Sequence, residues 1–484
     1  MTTDTGTIRH VRISRRSRRG VIMGLGPLRL ATLSCAVPLL VLALVGGGPR
    51  TLLLAMPGAG ALIAAVFLPV AGRPAVEWLP VTSMWLLRRT LRQNEFGIRP
   101  LRPRPAGTLA LPGDAAALRV YDDPVSGAAM VHDPHAAWLS AVLRVEHPAF
   151  VMLAAGEQNA RADGWGRVLA GLCQSGRIVR AQVLEQAFPD SGQGVKAWWR
   201  THGVHDDSAA ARSYAELVDT AGPTSERHTT LLTITLDEKR ARRTIRAEGA
   251  GRRGAAAVLR QEMATLTEAV HAADLTPAGW LTADELATLI RGAFDPPASG
   301  SVDESSIGRV LPSAGPMGIV EEWDHLRADG SFHAALLVTE WPRSAVPVDF
   351  LHNLLVRLSG VQRSVSVIYQ PRPAAVALRE IRKDRVGYIT DQAQREKLHQ
   401  LTDFATSQEW ADVEQRELDL VSGHGDLGFA GLIAVTAPTV DALQAALATT
   451  RQAALQSGCE TRLLYGQQSQ AFIAAALPFT RGLR

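Results

Sequence analysis

Four lysines, Lys196, Lys239, Lys383 and Lys397, are spread through 484 residues. A Walker-type phosphate loop needs a lysine between a GxxxxG run and a Ser or Thr, so that its ammonium reaches the terminal phosphates. None of the four stands in that setting, which excludes an ATPase of that design and leaves no reason to expect nucleotide binding. Gly249, Gly251 and Gly254 do spell GxGxxG ahead of a helical pattern. A dinucleotide fold needs its strand to end at that turn, and here Asp237 to Glu248 intervene, dense with arginine; a loop entering a helix is the better reading. His132-Asp133-Pro134-His135 and His202-Gly203-Val204-His205-Asp206-Asp207 offer imidazole and carboxylate groups, but neither has a third imidazole or an HExxH helix beside it. No GxSxG nucleophile elbow is present, and His424-Gly425-Asp426 reads as a turn. Cys35, Cys173 and Cys459 lie far apart with no CxxC, so neither zinc nor a disulfide framework is indicated. No catalytic, cofactor or metal residue is assigned, and a non-enzymatic protein is expected.

The elements that would carry any function begin with an apolar segment. Leu30 to Gly48 gives 19 residues without a charge and Thr51 to Gly72 another 22, separated by Pro49 and Arg50. Each is long enough to span a hydrocarbon core of about 30 Å. The short turn makes them a transmembrane hairpin. Arg15, Arg16, Arg18 and Arg19 precede it, and Arg73, Arg88 and Arg89 follow it; the positive-inside rule then puts both termini in the cytoplasm. The expectation is a two-span protein of the cytoplasmic membrane. The arginine excess elsewhere reads as coding composition, so nucleic acid is not an expected partner.

The polar remainder reads as α+β. Residues 1–29 form a basic N-terminus, 30–72 the hairpin, 73–112 a juxtamembrane segment with a proline-rich linker, 113–300 a first α+β unit and 301–484 a second. Strand patterns at Leu118–Tyr121 and Ala128–Val131 flank the turn signal Asp123–Gly127. Leu259, Met263, Leu266 and Val270 give the clearest buried helical stripe. The two units repeat weakly. Leu231–Leu236 corresponds to Gly431–Thr436 at an offset of 200, and Leu259, Met263, Ala269 and Ala287 meet Leu443, Leu447, Ala453 and Ala471 at 184. Each unit is then a split βαβ, ferredoxin-like fold. Residues 374–421, charged and free of proline, read as a helical arm of one or two helices.

The hairpin with basic flanks and Glu77-Trp78-Leu79-Pro80 resembles the PrgI-like two-helix subunit of type IV secretion and conjugation systems. Asp329-Gly330, the strand to Trp341-Pro342, and Ala476-Leu477-Pro478-Phe479-Thr480-Arg481-Gly482 resemble the non-catalytic N-terminal region of the ATPase that drives them. Over its whole length the chain is similar to an actinobacterial integral membrane family of this layout. The resemblance implies a membrane component that anchors or docks a separately encoded ATPase beside other membrane subunits. Leu477, Phe479 and Arg481 are the candidate docking residues, because in the resembling proteins this segment runs into the motor. Two other readings stand beside it: a subunit of another secretion system with a type VII-like layout, and a membrane-tethered enzyme or sensor whose site assembles only in space.

Overall fold

The computed structural model describes residues 8–13, 26–98, 105–147, 150–189, 193–203, 206, 208–221, 226–296, 314–397, 404–422 and 425–482. Two compact units divide the chain, one of residues 14–94 with 388–412 and the other of the remainder.

The smaller unit holds α1 (Pro27–Phe67) and α2 (Leu79–Thr90). α1 corrects the sequence reading: its helical hydrogen bonding continues through Pro49 and Arg50, so one helix of 41 residues stands where two were expected. An internal proline removes one backbone hydrogen bond and bends a helix, but it ends one only where the flanking turns also fail. Among the described residues no helix is long and apolar enough to cross a membrane. The transmembrane hairpin and the two-span cytoplasmic-membrane placement are therefore overturned. Just past the C-terminal end of α1, Trp78 donates its indole N–H to the Val70 carbonyl at 2.8 Å, and Glu77 pairs at 2.9 Å with Arg29 from the first turn of α1, so the helix bends back far enough to bring its two ends together.

The larger unit is built on a 13-stranded sheet. Its strands in chain order are β1 (Glu95–Gly97), β2 (Arg119–Asp122), β3 (Ala129–Asp133), β4 (Trp138–Glu146), β5 (Ile178–Pro189), β6 (Glu226–Asp237) and β7 (Thr276–Trp280). They continue as β8 (Gly318–Glu321), β9 (Leu326–Ala328), β10 (Ser331–Glu340), β11 (Gln362–Arg372), β12 (Asp426–Ala437) and β13 (Glu460–Leu463). The spatial order is β1-β8-β9-β10-β12-β11-β5-β6-β4-β3-β2, with β7 on β4 and β13 on β10. Every ladder is antiparallel.

Within that path lie two copies of one pattern. The strands β7-β4-β6-β5 and β13-β10-β12-β11 each have the order of a split βαβ pair, and they meet where β5 pairs β11 from Ala187↔Arg363 to Ala181↔Tyr369. In the first copy α3 (Ala155–Gln174) follows β4. Between β5 and β6 come α4 (Gln193–His202) and α5 (Ala209–Ala221), where the Trp199 and Tyr214 rings meet at 4.6 Å, tilted by 45°. After β6 come α6 (Arg242–Ala247) and α7 (Gly251–His271), and after β7 comes α8 (Ala283–Phe294), opened by a Thr282–Glu285 capping box. In the second copy α9 (His352–Leu355) follows β10. The arm consists of two helices, α10 (Ala374–Lys397) and α11 (Phe404–Val421); α12 (Val440–Gln456) and α13 (Gln468–Ala476) complete the copy.

Alternation along each strand sends successive side chains to opposite faces. One face packs Leu232, Ile234 and Leu236 under α3 and α7, and Ile433, Val435 and Ala437 under α12 and α9. The other face packs Leu231, Leu184, Leu432 and Ala335 under α8 and α13. The helices repeat at the expected offset: Leu259, Met263 and Ala287 are buried, as are Leu443, Leu447 and Ala471. The strand offset of 200 needs correction. Leu232 and Ile433 share a face and are paired with Leu143 and Leu336 at like places in the two ladders, so the true offset is 201. A one-residue slip puts Leu231 opposite in sense to Gly431, and the coincident strand ends concealed it.

Candidate functional site

The sheet face beneath α8 and α13 carries an unusual number of polar side chains. On β5 Arg180, Gln182 and Gln186 point that way, on β6 Thr233 and Thr235, on β4 Ser140 and on β11 Ser366. Polar groups withdrawn from water need partners, and here the partner is the C-terminal segment. Gln182, fully buried, donates to the Leu477 carbonyl at 3.0 Å and to Ser366 Oγ at 2.9 Å, and its own carbonyl accepts from the Thr480 amide at 2.6 Å. Gln186 donates to the Ala476 carbonyl at 3.0 Å, and Thr233 Oγ1 to the Pro478 carbonyl at 3.2 Å. Arg180, lying 4.7 Å over the Trp138 ring, donates to the Thr480 carbonyl at 2.8 Å. Thr480 Oγ1 meets Thr235 Oγ1 at 2.7 Å, and Thr235 in turn meets Ser140 at 2.8 Å.

These contacts explain a backbone outlier. Thr480 has φ +52°, a left-handed conformation rare for a β-branched residue. Its amide, carbonyl and hydroxyl are each held by a different side chain, which over-determines the conformation.

All three expected docking residues lie in this segment. Leu477 is fully buried and Phe479 is 4% exposed, both within the chain's own core. A partner reaching them would have to displace them. Arg481 donates to Asp133 Oδ2 at 2.6 Å and, with Arg180, lines a cleft of about 100 Å³ beside Trp138 and Asp114. That is room for a few waters, far below the several hundred Å³ a cofactor-sized molecule requires.

Of the remaining arginines singled out for topology, Arg15, Arg16, Arg18 and Arg19 lie outside the described residues. Arg73 follows α1, its pKa lowered by burial against the opposing pull of Glu77. Arg88 and Arg89 fall in the last turn of α2, with Arg89 5.0 Å over the Trp85 ring.

The GxGxxG stretch has a mechanical role. Gly249, Ala250 and Gly251 all take positive φ, reversing the chain between α6 and α7, and a Cβ on Gly254 would stand 2.2 Å from the Ile245 carbonyl. The histidine clusters are dispersed: His132 faces Glu238 at 3.6 Å, His135 is exposed and His202 stacks on Trp198, while His205 and His424 lie outside the described residues. Among the described residues no group of three ligating side chains could hold a metal. One histidine went unnoticed in the sequence. His333 is wholly buried between Thr436 Oγ1 at 2.9 Å and the Phe294 carbonyl at 3.0 Å, and burial pushes its pKa down to about 3. The alternation Arg180-x-Gln182-x-Leu184-x-Gln186 was the available signal for the polar face, but it is the same pattern a solvent-facing strand edge would show.

A family model described as EccE: Putative type VII ESX secretion system translocon matches residues 224–338. The stretch opens just before β6 and closes inside β10, taking in α6, α7, β7 and α8. No curated protein matches the chain. The match overturns the resemblance to a PrgI-like subunit joined to the N-terminal region of a type IV secretion or conjugation ATPase, and with it the conjugation-type motor as partner. Over residues 224–338 the chain is similar to a type VII secretion translocon family, and that likeness supports a secretion-system component of type VII layout.

Proposed function

We propose that this protein is a non-catalytic subunit of a type VII secretion apparatus that works by holding other subunits of the machine. The observation that carries the reading is the family match, which spans both the core strand β6 and the arginine-rich turn that follows it. The geometry is in keeping with a scaffold: polar side chains on the sheet are spent on the chain's own C-terminal segment, and the cleft beside them is too small for a substrate of ordinary size. Arg481, at the rim of that cleft, remains a docking candidate for another subunit; Leu477 and Phe479 act by seating the segment.

The test uses the native host. The full chain, tagged and crosslinked in cells, should co-purify with subunits encoded in a type VII secretion locus, and its deletion should abolish export of a substrate of that locus. Undiminished export together with no secretion subunit in the purified material would overturn the proposal.

A further inference from the structure

Between β6 and α7 the chain carries Lys239, Arg240, Arg242, Arg243 and Arg246, and the first turn of α7 adds Arg252 and Arg253, all exposed. Asp237 holds Arg240 at 3.5 Å, and the Arg252 guanidinium lies 4.3 Å over the Tyr121 ring. Among the described residues no carboxylate stands within ion-pair reach of Lys239, Arg242, Arg243, Arg246 or Arg253. Glu238 and Glu248 share the stretch but are engaged by His132 and Gln261, so its exposed charge is mainly positive and an anionic partner would relieve the self-repulsion. The turn is nonetheless built to hold its shape: Ile245 is buried beneath it, Gly254 closes on the Ile245 carbonyl, and three successive positive-φ residues set the angle between α6 and α7.

Next to this turn runs a groove of about 560 Å³. Its apolar lining comes from Pro105, Ala106, Ala117 and Pro134, and its basic lining from Arg119 and Arg252. Groove and turn are continuous, since Arg252 belongs to both and His132 in the groove faces Glu238 at the root of the turn.

We infer that the α6–α7 turn and the adjoining groove form a docking surface for an acidic, partly apolar peptide segment of another secretion subunit. This rests on the secretion-subunit reading and gives it a partner chemistry. Carboxylates on the segment would engage the guanidinium forks two atoms at a time, and its apolar side chains would cover the proline and alanine floor. A lipid surface fits less well, because residues 239–253 expose no large apolar side chain to enter a bilayer. Single-stranded nucleic acid needs free aromatic faces for base stacking, and Tyr121, the ring at this site, is already covered by Arg252.

The full chain is compared with its Arg242→Glu/Arg243→Glu/Arg246→Glu variant and with Arg252→Gln, each checked for unchanged thermal unfolding. Fluorescence anisotropy measures binding of a labelled peptide of alternating Glu and Leu, a DNA oligonucleotide of equal charge and vesicles rich in phosphatidylglycerol. The peptide should bind the parent best, and the triple reversal should weaken it by about tenfold or more, each lost close pair counting for a factor of several. Arg252→Gln should weaken it less. Equal peptide affinity in parent and triple variant overturns the surface; tighter binding of DNA or vesicles overturns the peptide as occupant. In cells, Ala247→benzoylphenylalanine should photocrosslink a secretion subunit through an acidic stretch. Crosslinking to no secretion subunit, with peptide binding intact, sinks the functional reading and leaves the surface standing.

Discussion

The two copies of the split βαβ pair differ most at one junction. In the first, residues 238–250 separate β6 from α7 and carry most of the basic turn; in the second, Pro438 and Thr439 alone separate β12 from α12. The cores around that junction are nonetheless matched, Leu259 with Leu443 and Met263 with Leu447 on the faces that meet the sheet. Further along, the stripe diverges to Leu266 and Val270 in α7 but Thr450 and Ala454 in α12. A repeat can therefore accept a charged insertion where strand becomes helix without losing register, since loop length costs stability only logarithmically. The copy with the short connection passes directly from strand to helix; the copy with the long one presents an exposed basic surface.

A second difference is reciprocal. Ser140 pairs with Thr235 in the first copy, and His333 pairs with Thr436 at the equivalent place in the second. The chain leaving α13, in the second copy, sets Thr480 on Thr235 of the first, while the chain leaving α8, in the first copy, sets the Phe294 carbonyl on His333 of the second. Each copy is closed by the other's last helix.

The strongest way to break the equivalence is in the cores. Leu259→Ala and Leu443→Ala should each cost about 3 kcal/mol, the usual loss for a buried leucine. Urea unfolding should show one shared transition for both. Two separable transitions would mean the copies are independent.

His333 distinguishes the copies by pH, because Ser140 cannot titrate. Folded His333 has a pKa near 3 against 6.5 when free. The unfolded chain therefore binds the extra proton, and stability falls as pH drops from about 6.5 towards 3 while being unaffected above. By linkage the folding constant should lose up to about tenfold per pH unit in that window. A His333→Asn variant should lack this slope in denaturant titrations at stepped pH; retention of the full slope would assign it to other groups.

Gln182→Leu removes the clamp on the C-terminal segment and strands the Thr480 amide, while the Leu477 carbonyl keeps only the Phe479 amide at 3.0 Å. The expected cost is about 2 kcal/mol, within the range for newly unpaired buried groups. Amide exchange at residues 477 and 479–482 should accelerate well beyond that of β5. Protection unchanged at those amides would show that packing alone seats the segment.

The smallest effect belongs to Arg481→Ala, which breaks a partly exposed pair with Asp133. Less than about 1 kcal/mol should be lost, so any larger decline in subunit capture would come from docking rather than folding.

Local pattern in the sequence located several elements well. The turn at Asp123–Gly127 separates β2 from β3, and the stripe from Leu259 to Val270 falls within α7. What could not be read depends on long-range pairing. The strand offset was off by one because hydrophobicity on two-sided buried strands such as β6 and β12 is nearly continuous, so neither face stands out. The burial of the polar stripe on β5 is not legible locally, because its cover comes from residues nearly 300 positions later. Pro49 reads as a turn in the sequence although α1 continues through it, since proline punctuation does not by itself distinguish a bend from an end. The buried role of Leu477 and Phe479 was equally out of reach: a short apolar run at the end of a chain fits a core plug and a docking tip alike.

The reciprocal closure has a consequence for synthesis. During translation the first copy's sheet precedes residues 476–480, so Gln186 and Thr233 lack their carbonyl partners, and Gln182 and Thr235 keep only Ser366 and Ser140, until that segment has been made. A chain cut short anywhere before residue 476 would keep that stripe bare, and the α8 side of the exchange could not replace it. The nascent first copy is thus a half-finished surface that residues 476–480 complete.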